Sequence, residues 1–125
     1  MTDPIKRIGP DELGDALPTP GIIRHVADET ETHWVGQAET EPNTMSGWHH
    51  HGQHTTLGYI LSGTARLEFG PGGRDAVNVS AGDYFVVPPM TIHREGNPTD
   101  TPGQAVIVRY GEGPPVFPAD GPDPD

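Results

Sequence analysis

The stretch WHHHGQHTTLGYILSG, residues 48–63, places four histidines directly before an apolar segment that ends in a Ser-Gly turn. Because side chains alternate across a β-strand, His49 and His51 are predicted to point to one face and His50 to the other. Two imidazoles on one face, two residues apart, bind a metal ion when a third ligand comes from a neighbouring strand. The stretch therefore predicts a strand that presents two histidines to a metal site.

Short strand-like segments separated by turns continue on both sides of this stretch. Hairpin signals stand at Ser62-Gly63 and at residues 81–83, and the 17 glycines and 15 prolines are spread along the chain without a repeat. This pattern favours many short strands over long helices, and it predicts an all-β sandwich or barrel. The predicted strands are residues 21–27, 33–39, 55–62, 65–69, 77–79, 84–87 and 104–110, and residues 44–51 are also expected to be extended.

The length of 125 residues leaves room for one domain with a single core. Residues 1–20 mix charges with proline and glycine, and they are predicted to form an N-terminal extension. Residues 21–111 contain all of the predicted strands and are expected to form the barrel. Residues 112–125 are acidic and rich in proline and glycine, a composition that predicts a flexible tail.

Composition and charge exclude several classes of function. The formal net charge is −11, with Lys6 as the single lysine, so the surface is predicted to repel nucleic acid and anionic membranes. No apolar run approaches the roughly 20 residues that span a bilayer, and the N-terminus lacks the apolar stretch of a signal peptide, so a cytoplasmic location is expected. Because the chain contains no cysteine, a metal site must rely on nitrogen and oxygen ligands.

The spacing of the histidines resembles the two sequence signatures of the cupin superfamily. The first signature runs His-x-His, three or four residues, Glu, six residues, Gly. It is similar to the spacing here of His49, His51, Thr56 and Gly63.

The second signature runs Gly, five residues, Pro-x-Gly, two residues, His, three residues, Asn. Gly82, Pro88, Met90, His93 and Asn97 stand at these positions, and Met90 alone differs in residue type. A glycine before the histidine suits a turn that needs a positive φ, so the turn at Met90 is expected to be made another way. Both signatures occur in the family's order, and the chain thus resembles a small single-domain cupin.

The resemblance implies an antiparallel double-stranded β-helix, or jelly-roll barrel, with His49, His51 and His93 lining its inside. These histidines would bind one divalent transition metal ion near a mouth of the barrel, and Fe, Mn, Ni, Zn and Cu are the candidates. Barrels of this family commonly pair as dimers. A homodimer is therefore expected, with residues 21–27 and 84–87 available for an intermolecular sheet.

The position of the family's usual glutamate ligand is the main departure, because Thr56 stands there and a threonine hydroxyl is a poor ligand for these metals. Either the site has three histidines only, or His54 is the fourth ligand. His54 is also a candidate catalytic general base above the metal. A site of neutral imidazoles alone keeps the full charge of the ion, which favours an anionic ligand or an acidified metal-bound water. Arg94 and Glu95, beside His93, are candidates for orienting a ligand, but they are interpreted as a solvated charge pair.

Two functional hypotheses follow from this site. The first is a metal-dependent enzyme acting on a small organic molecule, either by oxygenase chemistry such as dioxygenation or by isomerase or lyase chemistry. The alternative is a non-enzymatic barrel that binds or senses a small ligand. The fold by itself does not choose between them.

Overall fold

The computed structural model describes residues 3–16 and 19–123, and within these ranges the chain forms β-strands and two 3-10 turns (Pro10–Glu12 and Pro71–Gly73) but no α-helix. The prediction of an all-β fold is confirmed. Parts of the predicted N-terminal extension and tail, at residues 1–2, 17–18 and 124–125, lie outside the described residues. The strands are β1 (Gly14–Asp15), β2 (Ile22–Glu29), β3 (His33–Thr40), β4 (Thr44–Met45), β5 (His49–His50), β6 (Thr55–Ser62), β7 (Thr64–Phe69), β8 (Asp75–Ser80), β9 (Tyr84–Val87), β10 (Arg94–Asn97), β11 (Gly103–Tyr110) and β12 (Phe117–Pro118).

Two antiparallel sheets form the walls of a barrel. The larger sheet runs β1-β2-β3-β11-β6-β9, the smaller runs β4-β10-β7-β8, and β5 pairs separately with β12. The consecutive strands β6 and β7 lie in different sheets, and Gly63 joins them with a φ of 77° that suits glycine. The chain passes repeatedly from one sheet to the other, as in a double-stranded β-helix, so the predicted jelly-roll barrel is confirmed.

The interior of the barrel is only partly apolar. Its hydrophobic cluster consists of Ile60, Leu67, Val79 and Val87, contributed by β6 to β9. Burying each of these side chains stabilises the fold by about 1.5–3 kcal/mol. The barrel also buries several polar side chains, which come from the two histidine segments and the residues that follow them. The buried polar residues are His51, His54, Thr56, His93 and Asn97.

The turn before the second histidine segment differs from the expectation. Met90 itself adopts a φ of 60°, so the prediction that this turn would be made without a positive φ at Met90 is wrong. Its backbone N–H donates to the carbonyl oxygen of Gly52 at 2.8 Å, which ties this turn to the turn after the first histidines. Asn43, in the turn before β4, likewise has a positive φ, of 55°. Both positions therefore keep the backbone shape of a glycine without the residue.

The segment predicted as a flexible tail lies against the barrel as far as Asp123. We call residues 112–123 the C-terminal strap. Its strand β12 pairs with β5, the ring of Phe117 stacks on that of His50 at a centroid distance of 4.9 Å, and the Ala119 N–H donates to the Trp48 carbonyl oxygen at 3.0 Å. The strap therefore packs directly on the strand that carries the histidines.

No helix in the described ranges is long and apolar enough to cross a membrane.

Candidate metal centre

Two antiparallel segments bring the predicted ligands together. His49 and His93 are partners in a β-bridge, in which each backbone N–H donates to the other residue's carbonyl oxygen at 2.9 Å. His51 follows His49 by two residues, and Glu95 follows His93 by two. Because side chains two apart share a face, the bridge places all four on one side of this short ribbon.

These four side chains each direct one ligand-forming atom toward a common point, and the four atoms all lie within 4.8 Å of one another. The Nε2 atoms of His49 and His93 are 3.8 Å and 3.9 Å from the two carboxylate oxygens of Glu95, too far for hydrogen bonds. An ion about 2.1 Å from each donor holds donor atoms at most about 4.2 Å apart. Small inward shifts of these side chains would therefore complete a coordination sphere.

All three histidines of this group are oriented by backbone carbonyl groups. The Nδ1 atoms of His49, His51 and His93 lie 2.9, 2.8 and 2.8 Å from the carbonyl oxygens of Gly47, Pro115 and Thr91. Because a carbonyl oxygen only accepts, each Nδ1 carries the proton and each Nε2 keeps its lone pair. Metal-binding histidines use this arrangement to fix the ring and its tautomer.

The environment of the His93 Nε2 atom indicates whether a metal fits the group. This residue is 1% exposed, and its Nε2 has no hydrogen-bond partner among the described residues. A buried polar atom left without a partner costs about 1–3 kcal/mol. Coordination of an ion by Nε2 removes that cost, so the residues present fit a divalent metal.

The charge states of the imidazoles also suit a metal. Burial lowers the pKa of His51 to about 3, and the nearby positive charge of Arg109 adds to this effect. Burial likewise lowers the pKa of His93, although the carboxylate of Glu95 acts in the opposite direction. Both rings are therefore neutral near pH 7, the form in which a histidine binds a metal.

Glu95 is the residue of the group that sequence reasoning missed. The interpretation of Arg94 and Glu95 as a solvated charge pair is wrong, because the two side chains point in opposite directions. Arg94 donates to Glu68 at 2.6 Å and lies over the ring of Trp48, whereas Glu95 faces the histidines. Its position two residues after His93, on the same face of a strand, was the signal that could have identified it.

The two residues considered for the missing carboxylate lie elsewhere. The structure does not bring His54 into the group, because its Nε2 is 2.8 Å from the carbonyl oxygen of Gly113 in the strap. Thr56 is buried, and its hydroxyl has no partner among the described residues. The carboxylate of the group thus comes from the second histidine segment instead of the first.

Two spaces meet at this group. An interior cavity of about 60 Å³ is lined by Glu95 and Thr56, together with apolar side chains of the barrel. A wider cleft of about 650 Å³ opens to the outside past His49, with Trp34 and Trp48 in its walls. His51 lines both spaces, so a small molecule in either one can reach the group.

A family model described as the cupin domain matches residues 36–109, more than half of the chain. The matched range begins in β3, ends in β11 and includes His49, His51, His93 and Glu95. No curated protein shows a significant match to the sequence.

Solved structures match over most of the chain. A conserved protein from Klebsiella pneumoniae with a double-stranded β-helix domain is 25% identical, with a TM-score of 0.69 over 82% of this chain and 89% of that chain. KdgF from Halomonas sp. is 21% identical, with a TM-score of 0.68 over 85% of this chain and 95% of that chain. Oxalate decarboxylase from Bacillus subtilis, described with Mn(II) centres, is 23% identical, with a TM-score of 0.69 over 84% of this chain and 30% of that chain. The latter two likenesses show the fold alone.

Proposed function

The chain belongs to the cupin domain family, and from this membership we propose that it binds one divalent transition metal ion through His49, His51, His93 and Glu95 and acts on a small organic molecule. The observation that carries the proposal is the convergence of three oriented Nε2 atoms and one carboxylate within 4.8 Å. Three imidazoles and one carboxylate suit Fe, Mn, Ni, Zn and Cu.

The histidines and the glutamate of the group contribute differently to binding the ion. The backbone carbonyl groups behind His49, His51 and His93 fix the rings before any ion arrives, so little ordering is left to the moment of binding. Glu95 contributes the only negative charge of the group, the charge that Thr56 does not supply. When bound, a divalent ion supplies Lewis acidity, and a redox-active one also supplies electron transfer.

The surrounding side chains select and shield the reacting molecule. Trp34 and Trp48 give the outer cleft aromatic walls. Phe85 and Ile107 give the interior cavity apolar walls, which limit the space for water. A small organic molecule would therefore lie with its polar end at the group and its apolar part against these walls.

His54 is proposed here as a positioning residue instead of a ligand or general base. Its contact with the Gly113 carbonyl oxygen holds the strap, and the strap carries the Pro115 carbonyl oxygen to His51. The alternative function is a non-enzymatic barrel that binds or senses a small ligand, and it is favoured because His54, the residue expected to move protons, lies outside the group of His49, His51, His93 and Glu95.

Metal analysis of purified variants tests the site. We expect His49→Ala, His51→Ala and His93→Ala to lose bound metal, and Glu95→Gln to bind it more weakly. His50→Ala is the matched control, because His50 shares the strand of His49 but stacks outward on Phe117. Unchanged metal content in both His49→Ala and His93→Ala would refute the proposed site. Loss of metal in His54→Ala alone would restore His54 as a ligand.

Turnover separates the enzyme from the binding module. The protein is reconstituted in turn with each candidate metal and mixed with small phenols, thiols and keto acids. Oxygen uptake supports the oxygenase version, and a new product without oxygen uptake supports isomerase or lyase chemistry. Ligand binding without either one, across all five metals, favours the sensing alternative.

A further inference from the structure

Arg109 on β11 carries a charge that the described part of the chain leaves unpaired. Its side chain is half-buried, and its Nε is fully buried without a hydrogen-bond partner among the described residues. Among the described carboxylates none forms an ion pair with it, although Glu95 lies near enough to favour its charge. Burial lowers the pKa of the guanidinium. A cation with a buried, unpaired N–H group destabilises a fold, and an anionic partner from outside the described chain would offset that cost at Arg109.

Arg24 on β2 is a second cation at the same place. It lines the same interior cavity and outer cleft as Arg109, and its positive charge lowers the pKa of the Arg109 guanidinium. Arg24 donates to the hydroxyl of Thr19 at 2.7 Å, and it has no ion pair with any described carboxylate. Both arginines line the interior cavity and the outer cleft, as does His51. An anion between them would offset their repulsion.

The charge of this space is opposite to that of the whole chain. The chain has a net charge of −11, yet Glu95 is the only acidic side chain among the residues that line the interior cavity. The acidic residues of the outer cleft, Asp15 and Glu29, are exposed. Because Glu95 belongs to the proposed metal group, its charge is compensated when an ion is bound, and the arginines keep theirs.

We propose that this space binds a small organic carboxylate, which Arg109 and Arg24 hold beside His51. A planar guanidinium matches a carboxylate with two parallel hydrogen bonds. The interior cavity of about 60 Å³ admits only a small group, and the aromatic walls of the outer cleft suit an organic remainder. The inference deepens the proposed function and rests on it for the neighbouring ion, but recognition by the arginines needs no ion.

Calorimetric titration with pyruvate tests the inference, on protein loaded with Zn²⁺ and on protein freed of metal with a chelator. Methyl pyruvate is the uncharged control, and inorganic phosphate is the tetrahedral anion. We expect pyruvate to bind both forms, and to bind more tightly than either control. Equal binding of methyl pyruvate, or tighter binding of phosphate, overturns the carboxylate assignment.

Substitutions identify the binding groups. Arg109→Gln and Arg24→Gln should each weaken pyruvate binding by about tenfold or more, since a hydrogen bond to a charged group is lost. Arg109→Lys keeps the charge but loses the paired donors, so weaker binding is expected there too. Arg66→Gln is the matched control, because Arg66 pairs with Glu68 outside both spaces. Wild-type affinity in both glutamine variants overturns the inference.

Thermal unfolding of Arg109→Met gives a second readout. A purely structural role of Arg109 predicts a lower Tm in this variant, whereas the inference predicts a higher one. Replacing an unpaired buried cation with an apolar side chain of similar length should raise the Tm of the ligand-free protein. The same variant should lose the rise in Tm that pyruvate gives the wild type. A lower Tm in the absence of ligand overturns the inference. If Zn²⁺ fails to bind while pyruvate still binds through the arginines, the proposed metal site fails and this inference stands.

Discussion

Thr56 on β6 and Arg109 on β11 lie directly opposite each other in the larger sheet, and each has a buried polar atom without a hydrogen-bond partner among the described residues. The family's usual glutamate at position 56 would lie beside this guanidinium. With threonine there, Glu95 supplies the carboxylate of the proposed metal site, and no carboxylate lies at position 56 to pair with Arg109. We therefore expect the two features to be linked, because moving the carboxylate from position 56 to position 95 leaves Arg109 unpaired.

Moving the carboxylate back tests this link. Glu95→Gln should lower metal affinity by about tenfold or more, because an anionic ligand is lost. Adding Thr56→Glu to that variant should restore metal binding, as measured by competition with a chelator. Thr55→Glu, on the neighbouring position of β6 that faces the other side, is the control and should restore nothing. Failure of Thr56→Glu to restore affinity would contradict a shared role for the two positions.

The lowered pKa values of His51 and His93 predict that the metal-free protein loses stability in acid. Below the ordinary histidine pKa of 6.5, the unfolded chain takes up protons at these residues and the folded chain does not. The free energy of unfolding therefore falls as pH drops from 6.5 toward about 3, the pKa of folded His51. The expected slope is about 1.4 kcal/mol per pH unit for each histidine.

Denaturant titrations at several pH values in the presence of a chelator measure this slope. His51→Gln should flatten it, because one of the two groups is removed. His50→Gln is the control and should leave it unchanged, since His50 lies outside the group. An equal slope in wild type and His51→Gln would contradict the assignment.

Met90→Gly should stabilise the fold. An L-residue in the left-handed region costs about 1–2 kcal/mol, and glycine avoids this cost while losing some entropy on folding. The N–H that donates to Gly52 remains, and the Met90 side chain is mostly exposed, so little packing is lost. We expect a gain of about 0.5–1 kcal/mol in the free energy of unfolding, measured by chemical denaturation. Met90→Ala should show no such gain, because alanine meets the same backbone strain.

The outer face of the edge strand β9 supports the predicted homodimer. Tyr84 and Val86 are 77% and 60% exposed, and Leu57 lies opposite Val86 on β6. An apolar edge strand is a natural surface for a second copy of the chain. Val86→Lys should shift the mass measured by light scattering toward the monomer. Val77→Lys, on the edge strand of the smaller sheet, should not.

The sequence predicted the barrel and three of the four grouped residues, because turn spacing and histidine spacing are local properties. Glu95 was missed since β10 was not recognised as a strand, and alternation has no meaning without one. The unpaired state of Arg109 depends on which side chains β2, β6 and β10 bring beside β11, and that is known only from the tertiary fold. The role of the strap could not be predicted for a related reason. Its contacts to His51 and His54 are made by backbone carbonyl oxygens, which every residue type has.

Through those carbonyl contacts the backbone of the strap, and not its side chains, sets the orientation of His51 and His54. Any amino acid presents a carbonyl oxygen, so the contact at position 115 needs only the backbone path, whereas position 113 also needs a φ of 85° that suits glycine. A loop that shifts by a fraction of a bond length would reorient an imidazole without replacing a single ligand. We therefore expect the backbone path of the C-terminal strap, as much as the histidines, to set the metal preference of the proposed site.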